Sequence, residues 1–308
     1  MYSNPTSTNV VLPNSPAGCG IRIDDSTCTT TSFSGSNGTC GLGAGDGVNS
    51  ANGNNVTFEW VEMFGNGGRG PSLATAGGTY ATESYWWWVK TPTNTVITHS
   101  YLHNMMTTYF LSTGGISNVS IDHNYLWGLY DSSQLHSEGI QLEGTNTGGF
   151  NVNNNIFRDQ TTNGDIVQVI GSAVSSNVNF YNNLDLCTNG TSANDALYLG
   201  TKCNHTNGML SCINVGNSCT NWNVYNNTMA QVGGGTGNGT FQCGNGGDPS
   251  GDTLQINFEN NLFYNCGGFL SHQGSGGTWD YNAYLNSGQS AIGAHDTSSS
   301  SSPNPFNL

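Results

Sequence analysis

Charged side chains are scarce in this sequence. Asp, Glu, Lys and Arg make up 8% of the 308 residues, against roughly 25% in ordinary globular proteins. Only 5 residues are Lys or Arg and the formal net charge is −14, so there is no basic stripe that could bind nucleic acid or an anionic membrane. The same deficit counts against polyanionic glycans unless a cation intervenes. The composition therefore predicts no nucleic acid partner.

Long apolar runs are also absent. No run approaches the roughly 20 residues that a membrane-spanning helix needs, so the sequence predicts no membrane span. The first residues, MYSNPTSTNVV, have no basic start and no apolar segment, and they predict no signal peptide.

The 9 cysteines include no C-x-x-C pair and rarely have a histidine nearby, which counts against zinc. Disulfides in an oxidising compartment are the favoured interpretation, with pairing inside local clusters, such as Cys243 with Cys266. The odd number leaves one thiol free or paired between chains. Glycosylation sequons fit a secreted, extracellular glycoprotein, although many arise by chance in so Asn-rich a sequence. They are Asn37, Asn55, Asn118, Asn189, Asn204, Asn226 and Asn238.

Glycine, by contrast, is abundant at 44 residues, and aromatic residues reach 10%. The spread of aromatics argues against disorder. Glycine and asparagine both supply the positive φ angles of tight turns, so the composition suits an all-β protein.

A repeat is visible when seven segments are aligned. They are VTFEWVEMF, TVITHSYLH, VSIDHNYLW, FNVNNNIFR, VNFYNNLDL, WNVYNNTMA and INFENNLFY. Their first and third residues are almost all apolar, and a period of two is typical of a β-strand. Their fifth residues are Trp60, His99, His123, Asn154, Asn182, Asn226 and Asn260, and Asn124, Asn155, Asn183, Asn227 and Asn261 follow.

Successive segments lie 24 to 44 residues apart. Repeats of that length with a short strand in each one predict a β-solenoid, in which every turn buries its apolar side on its neighbours. The apolar third residues, among them Phe58, Ile121 and Phe180, should then lie in one column along the axis. About eight coils are expected, with an Asn ladder in which each Asn bonds to the Asn above and below it.

The segments NVSIDHNYLWG, FNVNNNIF, NVNFYNNL and INFENNLFYN resemble the coil repeat of the right-handed parallel β-helix proteins of the pectin-lyase-like superfamily. The resemblance covers roughly residues 50 to 285 and implies the fold. It implies little about activity, because that superfamily includes lyases, glycoside hydrolases, epimerases, phage tailspikes, adhesins and structural proteins. The predicted organisation is an irregular N-terminal cap or first coil with Cys at 1–50, a parallel β-helix at 51–290, and a Ser-rich tail or clipped last coil at 291–308.

A second family of short strands ends in glycine and alternates with the first. Its members are YFLSTG, GIQLEG, VQVIG, ALYLG, TFQCG and FLSHQG. Glu138 and Asp165 each stand six residues before the terminal glycine, and Thr108 and Asn194 fill that position in the flanking members. The two carboxylates should therefore lie on neighbouring strands about 4.8 Å apart.

Two carboxylates at such a separation are the catalytic unit of glycoside hydrolases. One would act as the acid and the other as base or nucleophile, because neighbouring carboxylates push their pKa values apart. His136 would position the sugar. Gln141 and Gln168, which share the position three before glycine, and Asp131 would bind substrate. The open alternative is that the pair is a solvated rim, or a calcium site completed by the glutamine oxygens; otherwise no cofactor is expected.

Two further features of the sequence bear on function. Of Trp86, Trp87 and Trp88 in SYWWWVK, at least one should face outward, and Trp87 is assigned to stacking on a sugar, unless it packs under its own loop. His99 and His123 should stack, and with His103 and Asp122 they could hold a metal, although a histidine there more often replaces asparagine as a turn donor. No metal site is assigned.

The best interpretation is a secreted, carbohydrate-active β-helix that binds or hydrolyses a neutral polysaccharide through two carboxylates. If it is an enzyme, it is a glycoside hydrolase rather than a lyase, because no Arg/Lys pair accompanies Arg158 for proton abstraction next to a uronate. The alternative is a non-catalytic extracellular structural or adhesive protein, with self-assembly into a fibre or filament. A trimeric, tailspike-like receptor binder is a variant of it.

Overall fold

In the computed structural model, the regular secondary structure of the described residues consists entirely of β-strands. The described residues are 22–23, 55, 57–60, 62–64, 85–89, 92–103, 108–112, 115–127, 138–143, 148–158, 161–162, 165–170, 174–187, 204–205, 208–213, 218–231, 242–247, 253–266, 268–270, 277–287 and 290–301. Within these ranges, no helix is long and apolar enough to cross a membrane.

The strands belong to three large parallel sheets. Sheet I contains β2 (Thr57–Glu59), β5 (Thr93–Thr98), β8 (Ser117–Asp122), β11 (Gly148–Asn153), β15 (Val174–Tyr181), β19 (Ser218–Tyr225), β22 (Thr253–Glu259) and β25 (Trp279–Asp280). Sheet II contains β1 (Arg22–Ile23), β3 (Glu62–Phe64), β6 (Tyr101–His103), β9 (Tyr125–Trp127), β12 (Ile156–Arg158), β16 (Leu184–Cys187), β20 (Thr228–Gln231), β23 (Leu262–Tyr264), β26 (Ala283–Leu285) and β27 (Thr297–Ser299).

Sheet III contains β4 (Tyr85–Val89), β7 (Thr108–Ser112), β10 (Glu138–Glu143), β14 (Asp165–Ile170), β18 (Gly208–Ile213), β21 (Gln242–Gly247) and β24 (Gly268–Leu270). A separate pair joins β13 (Thr161–Thr162) to β17 (Asn204–His205). The chain passes through sheets I, II and III in turn and pairs each strand in parallel with its counterpart one repeat later. This is the arrangement of a β-solenoid.

The predicted apolar column is confirmed. Register pairs run from Phe58 to Ile97 and Ile121, and onward through five more strands of sheet I to Trp279. The members in order are Phe58, Ile97, Ile121, Val152, Phe180, Val224, Phe258 and Trp279. All but the last are buried in the core, because alternation along a strand sends these side chains to one face.

Each aligned repeat segment holds two strands rather than one. A single residue with left-handed φ turns the chain from sheet I to sheet II, for example His123 at 54° and Asn154 at 55°. Asparagine tolerates this conformation better than most residues, which explains its frequency there.

A buried row of asparagines lies directly after this corner. Its members are Asn124, Asn155, Asn183, Asn227, Asn261 and Asn282, each at most 3% exposed. The Oδ1 of Asn155 accepts from the backbone N–H of Asn124 at 2.9 Å and from its Nδ2 at 3.1 Å. The Nδ2 of Asn155 donates to the carbonyl of Ile121 at 2.8 Å and to Oδ1 of Asn183 at 3.1 Å. We call this set the buried asparagine row.

The buried asparagine row has a different hydrogen-bond partner at each end. At the N-terminal end the backbone N–H of Ser100 donates to Asn124 at 2.9 Å. At the C-terminal end Asp296 accepts from the backbone N–H of Asn282 at 2.7 Å. Asp296 also accepts from the N–H groups of Ile292 and Gly293, so its carboxylate terminates the row and fixes the last turn.

Strands of sheet II also occur outside the central region. Arg22–Ile23 pairs with Glu62–Met63, and Thr297–Ser299 pairs with Ala283–Leu285. Most of 1–50 lies outside the described residues, and the predicted domain boundaries stay predictions. Cys187 and Cys266 are both buried, and the disulfide pairing likewise stays a prediction.

Candidate functional site

The two predicted catalytic carboxylates begin neighbouring strands of sheet III. Ile140 of β10 aligns with Val167 of β14, and Glu138 and Asp165 each stand two residues earlier. On the other side of Glu138, Thr108 is its register partner, as expected. The backbones of such paired strands lie about 4.8 Å apart. Positions 138 and 165 are therefore adjacent on neighbouring strands, as expected.

The partner expected on the far side of Asp165 was wrong. Asp165 aligns with Gly208 of β18, not with Asn194. Residues 194–200 lie outside the described residues, and the segment GMLSCI takes the place in sheet III that ALYLG was expected to fill. Both segments are short and mostly apolar, so the pattern alone does not distinguish them.

Gly139 brings the two strands close together beside Glu138. A Cβ at this position would lie 2.8 Å from the carbonyl oxygen of Ile166, closer than side chains are accommodated. Glycine is therefore required by the approach of the β14 backbone at the same end of the sheet as the carboxylates.

Gln141 and Gln168 are register partners, as predicted. The same row continues to Leu111, and Leu111 aligns with Trp88. Gln141 is 7% exposed, whereas Ile140 beside it is fully buried. Positions 138 and 141 differ by three, so they have opposite parity in the strand. The glutamine pair and the carboxylate pair therefore belong to alternate rows of sheet III, and the register does not group Gln141 and Gln168 with Glu138 and Asp165.

Trp87 aligns with Phe110, which is buried in the core beside Ile140. The tryptophan that shares the glutamine row is Trp88, and sequence reasoning singled out the other one. His136 and Asp131, predicted to position and bind a sugar, lie outside the described residues. The roles of all seven predicted site residues stay predictions.

A second polar cluster lies at the corner between sheets I and II. The rings of His99 and His123 stack as expected, with centroids 5.0 Å apart and planes inclined by 3°. Trp60 lies on the other side of His99 at 4.7 Å and is 56% exposed. All three residues have a left-handed φ. The backbone therefore turns in the same way in three successive coils, and this places the three rings one above another.

Asp122 anchors this cluster. Its Oδ1 accepts from the hydroxyl of Thr98 at 2.6 Å and contacts Nδ1 of His123 at 2.9 Å. Its Oδ2 accepts from Ser120 at 2.8 Å. Partial burial acts to raise the pKa of this carboxyl, but these hydrogen bonds outweigh burial and hold the pKa below its ordinary value of 3.8. Asp122 is therefore ionised at neutral pH.

A comparable pair lies near the C-terminal end. His295 contacts Oδ2 of Asp280 through Nδ1 at 2.7 Å, and its ring stacks on Tyr281 at 4.6 Å. Hydrogen bonding to His295 lowers the pKa of Asp280. Here the imidazole has an aromatic neighbour rather than a second histidine.

The outer faces of sheets I and II differ in chemistry. Sheet I carries a half-buried row of asparagines that bond to one another, namely Asn151, Asn179, Asn223 and Asn257. Sheet II carries partly exposed apolar and aromatic residues, among them Ile156 at 38% exposure. Arg158 lies on this face and donates to the hydroxyl of Tyr125 at 3.3 Å. Within the described ranges, no group of three or more His, Cys, Asp or Glu side chains is arranged to hold a metal ion.

Comparison with protein-family models gives no match, and comparison with curated proteins gives none either. Among solved structures, the chain is similar to the A-module of the mannuronan C-5 epimerase AlgE6 from Azotobacter vinelandii, at 14% identity and a TM-score of 0.20. The match covers 82% of this chain and 65% of that one, so the chain spans less than two thirds of its length. A likeness at this level carries no argument about activity.

Proposed function

We propose that the protein is an extracellular, right-handed parallel β-helix that binds or hydrolyses a neutral polysaccharide at sheet III. The observation that carries this proposal is the register of β10 with β14, which aligns Ile140 with Val167. Glu138 and Asp165 both precede that pair by two residues and so stand side by side at the start of the two strands. We infer that they act as acid and as base or nucleophile.

The strand spacing supports this assignment. Backbones about 4.8 Å apart fit carboxyl groups about 5 to 5.5 Å apart, the separation found in retaining glycosidases, more closely than the roughly 6.5 to 9.5 Å of inverting ones. The close approach of Gly139 to the carbonyl of Ile166 keeps the two backbones adjacent beside the carboxylates. The composition, with 5 Lys and Arg in 308 residues, favours an uncharged substrate.

The test is release of reducing sugar from a panel of neutral polysaccharides. Glu138→Gln and Asp165→Asn are expected to lower kcat by at least about 100-fold, because each removes one of two groups that act together. Glu143→Gln is the matched control, since Glu143 lies at the far end of the same strand. If both pair variants keep full activity on a polysaccharide that the protein cleaves, the assignment is wrong.

A non-catalytic structural or adhesive role is the second candidate. It is favoured by the self-pairing of equivalent side chains on the outer face of sheet I, where Asn179 bonds to Asn151 and Tyr181 stacks on Tyr225 at 4.9 Å. A surface whose polar groups satisfy one another suits an inert scaffold. Light scattering at rising concentration would reveal polymers in that case, and a monomer that cleaves a glycan would exclude it.

A further inference from the structure

The stacked histidines at the corner between sheets I and II have their Nδ1 atoms fixed by hydrogen bonds. Nδ1 of His99 lies 2.8 Å from the hydroxyl oxygen of Thr98, and Nδ1 of His123 lies 2.9 Å from Asp122. Both rings are on the exposed surface, and 51% of the His123 side chain is accessible.

These contacts determine the tautomer of each neutral ring. Asp122 is ionised and can only accept, so Nδ1 of His123 carries the proton. The hydroxyl of Thr98 donates its single proton to Asp122 at 2.6 Å. It must therefore accept a hydrogen bond from Nδ1 of His99. In both rings the proton is on Nδ1, and the lone pair is therefore on Nε2.

We propose that the Nε2 atoms of His99 and His123 bind one divalent transition-metal ion. The proposal goes beyond the proposed function and does not depend on it. Metal-binding histidines commonly donate their other N–H to a carboxylate or another oxygen, which fixes the tautomer and raises ligand basicity. Asp122 does this directly for His123 and through Thr98 for His99. The sequence alone favours a turn-donor role for these histidines, because the hydrogen bonds that fix their tautomers depend on side-chain rotamers.

The ion class follows from the ligands. Imidazole nitrogen suits Zn²⁺, Ni²⁺ and Cu²⁺, whereas Ca²⁺ and Mg²⁺ prefer oxygen. Metal–nitrogen bonds of about 2.0 to 2.1 Å require the two Nε2 atoms to come within about 4.2 Å of each other. The rings are nearly parallel, with centroids at 5.0 Å and planes inclined by 3°, so their in-plane Nε2 lone pairs point in the same direction. Both rings must therefore rotate toward each other at their exposed edges before one ion can lie near both ring planes. Water completes the coordination, so the site is an open one.

The probe is Ni²⁺, titrated at pH 7.5 and followed by calorimetry. Wild type is expected to bind one ion at this site at least tenfold more tightly than His99→Asn or His123→Asn. Asparagine is a conservative choice, because it occupies the same corner with similar φ at Asn154 and Asn182. Unchanged thermal unfolding of the two variants would show that they fold.

Two controls separate a chelate from ordinary surface histidines. His295→Asn removes an exposed histidine that also contacts a carboxylate but has no second imidazole beside it in the described part of the chain. This variant should leave the affinity unchanged. Asp122→Asn keeps both rings and should weaken binding by about tenfold or more, the range found when such supporting groups are removed.

Trp60 provides an optical readout. Its ring stacks on His99 at 4.7 Å, so Cu²⁺ bound at this histidine should quench its fluorescence. The quenched fraction should fall in Trp60→Phe and disappear in the double variant His99→Asn/His123→Asn. Wild-type affinity in either single histidine variant, loss of affinity in His295→Asn, or quenching that persists in the double variant would overturn the proposal.

Discussion

The buried asparagine row and the asparagine row on the outer face of sheet I have the same side-chain bond and different surroundings. Asn155 donates to Asn183 at 3.1 Å in the buried row, and Asn179 donates to Asn151 at 2.9 Å on the outer face. The buried amides are at most 3% exposed and also bond to the backbone of the next coil. Those of the outer row keep contact with solvent.

Because of this difference in burial, hydrogen bonds of similar length are expected to contribute differently to stability. A lost hydrogen bond at an exposed site is replaced by water, whereas a buried group left without a partner costs about 1 to 3 kcal/mol. Equal bond lengths therefore do not imply equal contributions to the free energy of unfolding. Four predictions test this comparison, from the largest effect to the smallest.

Asn183→Ala is expected to be the most destabilising. It removes an acceptor for two N–H groups of Asn155 and a donor to Val152 and Asn227. With several buried groups unsatisfied, the free energy of unfolding should fall by about 3 to 5 kcal/mol, measured by chemical denaturation. A loss below about 1 kcal/mol would show that burial does not distinguish the two rows.

Asp296→Ala tests the end of the buried row. The carboxylate accepts from Asn282, Tyr284, Ile292 and Gly293. The expected loss is about 1 to 3 kcal/mol, less than in the interior of the row because water can reach part of the site. Hydrogen exchange should localise the loss to 277–301, and uniform loss of protection would contradict this.

Asn179→Ala tests the outer row with the same substitution. It breaks bonds of 2.9 Å to Asn151 and 3.0 Å to Asn223, but water replaces them. The expected change in the free energy of unfolding is below about 1 kcal/mol. A cost equal to that of Asn183→Ala would mean that the row bond itself, rather than burial, carries the energy.

Asp122→Asn should have the smallest effect and a defined pH dependence. The pKa of Asp122 is lowered in the folded state, so its contribution is present above the ordinary value of 3.8 and is lost as the pH falls through the lowered value. The difference in stability between wild type and variant should therefore shrink below about pH 4. A difference that grows on acidification would contradict the sign of the shift.

Much of sheet I could be predicted from sequence, because its strands alternate and end at the same left-handed corner. Phe58, Ile121 and Phe258 aligned as expected for this reason. Sheet III was harder. The spacing between successive repeats varies, so spacing does not show which segment after Cys187 forms the next strand. For this reason Asn194 was expected at the position that Gly208 occupies.

The candidate sites show the same limit. The sequence spacing correctly predicted that Glu138 and Asp165 lie on neighbouring strands and that the rings of His99 and His123 stack. It did not place Trp88, rather than Trp87, in the row of Gln141, since that depends on how β4 aligns with β7. Nor did it reveal the bonds from Thr98 and Asp122 that fix the imidazole tautomers, because these depend on side-chain rotamers.

Successive members of the buried asparagine row are separated by as few as 21 and as many as 44 residues. The side-chain bonds between them nevertheless stay within 2.9 to 3.1 Å. The excess length is therefore accommodated outside the register-bearing strands. An insertion between strands should therefore leave the register of the buried asparagine row unchanged, which makes the molecule a candidate frame for displaying foreign sequences.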